Sequence, residues 1–65
     1  MNAADKAVAA YDAAIFAPHV DLARADLLAG VAIVECEEAA KDARLPKWAR
    51  KDYASTAAFL RTQVA

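Results

Sequence analysis

Few residues of this chain are chemically equipped for catalysis. His19, the only histidine, lies near the start of a predicted helix, where a surface or packing role is usual. Cys36 lies among acidic neighbours on an apolar stripe, and such surroundings raise a thiol pKa and suppress its nucleophilicity. Glu35 and Glu38 have the spacing to share a divalent cation, but no Glu-x-x-His pair accompanies them. We therefore expect no enzyme, no catalytic residue, no metal site and no cofactor.

Basic side chains form the most unusual chemical feature of the sequence. They make up a predicted partner-binding stripe, here called the basic stripe: Arg44, Lys47, Arg50, Lys51 and Arg61. Several stand where a helix should begin, although a helix N-terminus carries partial positive charge and favours acids. Residues 44–65 contain one acid, Asp52, whereas residues 1–43 contain eight acids and three bases. The function must be inferred from this charge asymmetry.

Two interpretations of the basic stripe remain open. In the structural one, Glu35, Glu38 and Asp42 at the end of the second helix pair with cations at the start of the third. In the functional one, the stripe binds an anionic surface. An acidic partner protein is favoured over nucleic acid, because the net charge is −1 and no finger or helix-turn-helix pattern occurs. Trp48 and Tyr53 are predicted to be core residues rather than platforms for base stacking.

The elements that must position these residues are helices. One glycine, two prolines and twenty alanines in 65 residues favour a few long helices over a turn-rich β fold. Apolar periodicity predicts an all-α, three-helix, up-down-up bundle that forms a single domain over residues 1–65. The three predicted helices cover residues 3–17, 19–43 and 46–64.

Capping residues support these boundaries. Asn2 is a suitable N-cap for the first helix, and Pro18 should stop that helix at the residue before it. The second helix is expected to start either directly at Pro18 or after Asp21 as a later cap. Pro46 should be the first residue of the third helix.

The second helix is predicted to be apolar on two sides, so both sides require cover. One stripe, here called the outer stripe, contains Val20, Ala23, Leu27, Val31 and Val34, and the other contains Leu22, Ala25, Ala29, Ile33 and Cys36. Gly30 is expected to let another helix cross closely. Because so short a chain gains from association, we expect a homodimer whose interface contains Leu22, Leu28, Ala29, Ile33 and Cys36.

These patterns predict a small non-enzymatic helical interaction module, a homodimer, that binds and regulates or adapts a partner protein. The alternative is a nucleic-acid-binding regulator that uses the basic stripe of the third helix. A lone cysteine fits a reducing compartment, and no apolar run approaches the roughly 20 residues of a membrane span. We therefore expect a cytoplasmic protein that does not enter a membrane.

Overall fold

A computed structural model describes residues 2–64, so Met1 and Ala65, the ends of the predicted domain range, lie outside the described residues. Within residues 2–64 the chain forms α1 (Ala3–Ile15), α2 (Leu22–Ala40) and α3 (Lys47–Arg61), with no strand. The predicted all-α three-helix bundle is confirmed. Helix α2 runs through Gly30 without a break.

The first helix has the predicted start and an earlier end. The Asn2 side chain accepts a hydrogen bond from the Asp5 backbone N–H at 2.8 Å, which satisfies one of the free donors of the first turn. Helix α1 ends at Ile15 rather than at residue 17. Phe16 is its C-cap, and its N–H bonds to the Asp12 carbonyl at 3.0 Å. Helix α1 therefore ends before Pro18, whose ring disfavours helical dihedral angles in the residue that precedes it.

The second helix is shorter than predicted at both ends. It begins at Leu22 rather than residue 19, because Asp21 is the N-cap and accepts a hydrogen bond from the Arg24 N–H at 3.1 Å. The start at Pro18 is not used. It ends at Ala40 rather than residue 43, where the Lys41 N–H closes a tighter final turn on the Glu38 carbonyl at 3.1 Å.

The third helix begins one position later than predicted and ends earlier. Pro46 is extended, with φ −58° and ψ 152°, and therefore precedes the helix as its N-cap instead of forming its first turn. The helix covers Lys47–Arg61, not residues 46–64. The side chain of Pro46 has no acceptor for the free N–H groups that follow.

Helices α1 and α3 both pack on one face of α2. That face is built mostly from small side chains, and its buried members are Ala25, Ala29, Ala32, Ile33 and Cys36. Near the end of α2, Cys36 packs between Ala4 and Ala57. Nearer its start, Ala29 belongs to the cluster that contains Tyr11 and Leu60. The opposite chain directions of these pairings make the bundle up-down-up.

The bundle is open rather than closed into a triangle. Each outer helix packs along α2, whereas α1 and α3 touch each other only weakly, beside Tyr53. The Cα atoms span 38 × 23 × 14 Å, which is a flat shape. Large parts of α2 and α3 are consequently left without a neighbouring helix.

The outer stripe of α2 is left exposed to solvent by this open arrangement. Leu27, Val31 and Val34 are exposed to 71%, 47% and 56%. Helices α1 and α3 share the alanine-rich side of α2, so no helix in the described part of the chain covers the outer stripe. No helix in the described part of the chain has the length and apolar character to cross a membrane.

Candidate partner-binding surface

Trp48 lies in solvent, and the packing of α3 explains why. The α3 residues that join the two apolar clusters begin at Tyr53 and continue through Ala57 and Leu60. The first turns of α3 lie beyond these clusters, and Trp48 is 75% exposed. The prediction that Trp48 is a core residue is therefore wrong. Tyr53, predicted with it, is half-buried at the edge of the core.

Phe59 shares the solvent face of α3 with Trp48 and is 60% exposed. The two aromatic residues are eleven positions apart, about 16 Å along the helix, on nearly the same side. Asp52 and Ser55 are exposed between them. The apolar arc of α3 spans about half of the helix circumference, more than one neighbouring helix covers. That width was the sequence signal for an exposed aromatic face, and it was missed.

Arg44 of the basic stripe is paired locally. Its guanidinium Nε and Nη2 donate to the two carboxylate oxygens of Asp42 at 3.0 and 2.9 Å, and its backbone N–H donates to Asp42 Oδ1 at 3.0 Å. These side-chain and backbone hydrogen bonds lower the pKa of Asp42 to about 2. Arg44 is thereby used to close the turn between α2 and α3.

Arg61 is paired with Glu37, an acid outside the predicted set of Glu35, Glu38 and Asp42. Its Nη2 donates to both carboxylate oxygens of Glu37, at 2.9 and 2.8 Å. Glu35 and Glu38, the predicted pairing acids, make no salt bridge with any described residue. They line a polar groove beside the start of α1 instead. Asp42 does pair with a base of the stripe, but with Arg44 in the connecting loop and not with a cation of α3, and the predicted pairing is wrong for the two glutamates.

Arg50 does not belong to the same surface as the lysines. It is half-buried, and its Nε is enclosed without a hydrogen-bond partner in the described structure. Its charge lies close enough to Asp42 to contribute to the lowered pKa of that carboxylate. The predicted single basic stripe is therefore divided, with Arg50 turned toward the loop that joins α2 and α3.

Lys47 and Lys51 are the remaining members of the basic stripe. Both are exposed, and neither forms a salt bridge within residues 2–64. Lys51 lies one turn from Trp48 on its side of the helix, and Asp52 lies next to Trp48 on the other side. The start of α3 therefore presents a projecting indole with Lys47 and Lys51 on one side of it and Asp52 on the other.

A hydrogen-bonded link holds this end of α3 against α1. The Asn2 side-chain amide donates to the Tyr53 hydroxyl at 2.9 Å, and that hydroxyl donates to Asp5 Oδ1 at 2.9 Å. The bond from Asn2 lowers the pKa of Tyr53, but the bond to Asp5 and desolvation raise it, and the net direction is upward. The link fixes the turn of α3 that lies next to Lys51.

The predicted dimer interface is divided by the fold. Ala29, Ile33 and Cys36 are buried inside the single chain, so α1 and α3 already cover the surface that they were expected to offer. Leu28 is half-buried, and Leu22 is exposed at the start of α2. Burial, together with the nearby carboxylates of Asp5, Asp52 and Glu35, raises the pKa of the Cys36 thiol.

Other chemistry-bearing residues are dispersed. His19 is exposed in the connection between α1 and α2. No group of three His, Cys, Asp or Glu side chains in residues 2–64 is arranged to hold a metal ion. Comparison with known protein families, curated proteins and solved structures finds no match to this chain.

Proposed function

We propose that this chain is a small non-enzymatic helical interaction module that binds and regulates or adapts an acidic partner protein through the solvent face of α3. The observation that carries the proposal is the exposed Trp48 beside Lys47 and Lys51. Tryptophan is enriched among the residues that dominate binding energy at protein interfaces. Phe59 extends the same face and supplies a second anchor for an apolar groove.

The charges on this face supply the second argument. Two of the five stripe residues have evident structural roles, since Arg44 pairs with Asp42 and Arg61 pairs with Glu37 near a helix C-terminus that favours cations. Lys47 and Lys51 stand near the opposite end of α3, where the helix dipole disfavours them. An acidic partner gives these two lysines complementary charge and a favourable association rate.

Photo-crosslinking identifies the partner, and Trp48 then reports its binding. A photoreactive phenylalanine at position 48 is introduced in cells of the source organism, and the crosslinked protein is identified and purified. Titration of the unmodified chain with that protein should shift the emission of the only tryptophan to shorter wavelength as the indole leaves water. A purified candidate that leaves the emission unchanged and shows no binding by calorimetry contradicts the proposal.

Matched variants distinguish specific binding through this face from nonspecific apolar contact. Calorimetry should show that Phe59→Ala weakens binding roughly tenfold or more, because an apolar anchor is lost. The double variant Lys47→Ala, Lys51→Ala should weaken binding mainly at low salt, where charges are least screened. Phe16→Ala is the control, because Phe16 is exposed but lies at the end of α1. Equal loss of affinity in Phe16→Ala would assign the binding to nonspecific apolar contact.

Nucleic acid is the second candidate because Trp48 is exposed and not buried. An indole beside lysines is able to stack on an unpaired base while the cations contact phosphate. Fluorescence anisotropy of labelled random single-stranded DNA and RNA tests this role at low and physiological salt. Binding that Lys47→Ala with Lys51→Ala weakens, with a shallower salt dependence, would place this function first. Absence of binding at low salt would eliminate it.

A further inference from the structure

We propose that two copies of this chain associate through the outer stripe of α2, with the two α2 helices antiparallel about a two-fold axis near Val31. This goes beyond the proposed function, which uses α3. The outer stripe presents Leu27, Val31 and Val34 at i, i+4 and i+7 on one helix face, and each is exposed by about half or more. The shallow concavity on this face is lined by α2 residues alone.

The distribution of side-chain size on α2 points to a missing neighbour. The face that α1 and α3 cover consists mostly of alanine, with Ala29 and Ala32 nearly inaccessible. The leucine and valine side chains of the outer stripe, which gain more from burial, face solvent. A contiguous exposed apolar face of this kind is a typical interaction surface.

Gly30 gives the second observation. A glycine inside a helix weakens it, and its use is explained when another backbone must approach closely. A Cβ added at Gly30 would meet nothing within 4 Å, so no contact within the described chain requires the glycine. Gly30 lies beside Val31 and Val34 on the edge of the outer stripe, where a second α2 crossing the first would come closest.

Charge complementarity selects a second copy in antiparallel orientation. Arg24 and Glu38 lie at equal sequence distances before and after Val31, at the edge of the outer stripe that borders α1. Neither forms a salt bridge in the part of the chain that the structure describes. An antiparallel pair about Val31 places each Arg24 beside Glu38 of the partner subunit. A parallel pair would instead place each Glu38 beside Glu38 of the partner subunit, and the two negative charges would repel each other.

The accessible area is consistent with a dimer. The chain has 4629 Å² of accessible surface. A compact monomer of 6.9 kDa has about 4000 Å² by the usual scaling with mass. The excess of about 600 Å², which also includes the open face of α3, is comparable to the lower end of the area that each partner buries in a stable interface.

Sedimentation equilibrium from micromolar to millimolar concentration tests the dimer. The native chain should show a monomer–dimer equilibrium, and Val31→Glu should weaken it roughly tenfold or more, because a charge would enter the apolar contact. Phe16→Ser is the control at an exposed apolar residue outside the outer stripe and should leave the equilibrium unchanged. Circular dichroism verifies that each variant keeps its helix content. A native chain that stays monomeric throughout overturns the proposal.

Two further sets of variants test the geometry. Gly30→Ala should weaken the dimer while preserving the helix, because the added methyl group separates the crossing backbones. Arg24→Glu and Glu38→Arg should each weaken association, and the double variant should restore it if the helices are antiparallel. A dimer that persists in Val31→Glu, or a double variant without rescue, overturns the assignment. If Phe59→Ala loses partner binding while the dimer stays intact, the result supports the role of α3 in partner binding. It does not affect the proposed dimer.

Discussion

Asp42 keeps its negative charge to unusually low pH because Arg44 holds it in the turn. Hydrogen bonds from Arg44 lower its pKa from 3.8 to about 2. Since the folded-state pKa is depressed, the interaction contributes stability above the ordinary carboxyl pKa, and that contribution is lost as pH falls toward 2. NMR titration should find the carboxyl of Asp42 ionised at pH 3 in the native chain and its pKa raised in Arg44→Ala.

The distant salt bridge provides the control for this titration. Arg61→Ala removes the partner of Glu37 but no contact of Asp42, so the Asp42 titration should not move. A native Asp42 that titrates at its ordinary pKa would contradict the hydrogen-bonded turn.

Cys36 should be unreactive while the chain is folded. Its side chain is inaccessible to solvent, and burial raises its thiol pKa, so both access and thiolate fraction are low. A disulfide-exchange reagent at pH 8 should label the native chain only at the rate of structural opening, and denaturant should accelerate labelling. Ser55→Cys in a Cys36→Ala background is the exposed control and should react at once. Immediate labelling of native Cys36 would mean that the cluster of Ala4, Cys36 and Ala57 does not shield the thiol from solvent.

The junction of α1 and α3 depends on one hydroxyl group. Tyr53→Phe removes the bonds to Asn2 and Asp5 and should lower the free energy of unfolding by about 0.5–1 kcal/mol, since both bonds are exposed to water. Urea unfolding monitored by circular dichroism measures the loss. Tyr11→Phe is the control, because the Tyr11 hydroxyl makes no hydrogen bond to the described residues, and it should change stability little. Equal changes in the free energy of unfolding for Tyr53→Phe and Tyr11→Phe would show that the hydrogen-bonded link does not stabilise the fold.

Lys47 stands at the wrong end of α3 for stability. Lys47→Glu places an acid in the first turn of a helix whose cap, Pro46, provides no side-chain acceptor. The free energy of unfolding should rise by about 0.3–1 kcal/mol through the helix dipole. Thermal unfolding measures the change, and Arg61→Glu should have the opposite effect because it removes a cation from the last turn and places an acid beside Glu37. Destabilisation by Lys47→Glu would reveal a structural role for Lys47 and weaken the functional interpretation.

The number and order of the helices and the start of α1 were predictable because local signals define them. Asn2 caps α1 as its side-chain chemistry predicts, and the cap at Asp21 was one of two stated starts for α2. The errors lie at helix ends, where a tighter turn after Ala40 and the extended Pro46 are decided by the geometry of the connection.

The candidate site was predictable only in part, because it depends on how the whole molecule packs. Lys47 and Lys51 were identified from charge alone. The exposure of Trp48 follows from the position of α3 relative to α2, and the inward turn of Arg50 follows from the loop beside it. Periodicity shows which apolar residues share a side of a helix, but it does not show which of two apolar sides a neighbouring helix covers. For α2 the alanine-rich side allows two helices to approach together, and that choice left the bulkier stripe outside.

The link between Asn2, Asp5 and Tyr53 also has a consequence for the folding rate of the whole chain. It joins residues 48 and 51 positions apart, whereas the α1–α2 and α2–α3 pairings are helical hairpins with short connections. Closing the longest loop late costs least entropy, so the link should form after the transition state. Tyr53→Phe should therefore accelerate unfolding and leave the refolding rate nearly unchanged. Stopped-flow denaturant jumps separate the two rates, and slower refolding in Tyr53→Phe would place contact between the first and third helices in the folding nucleus.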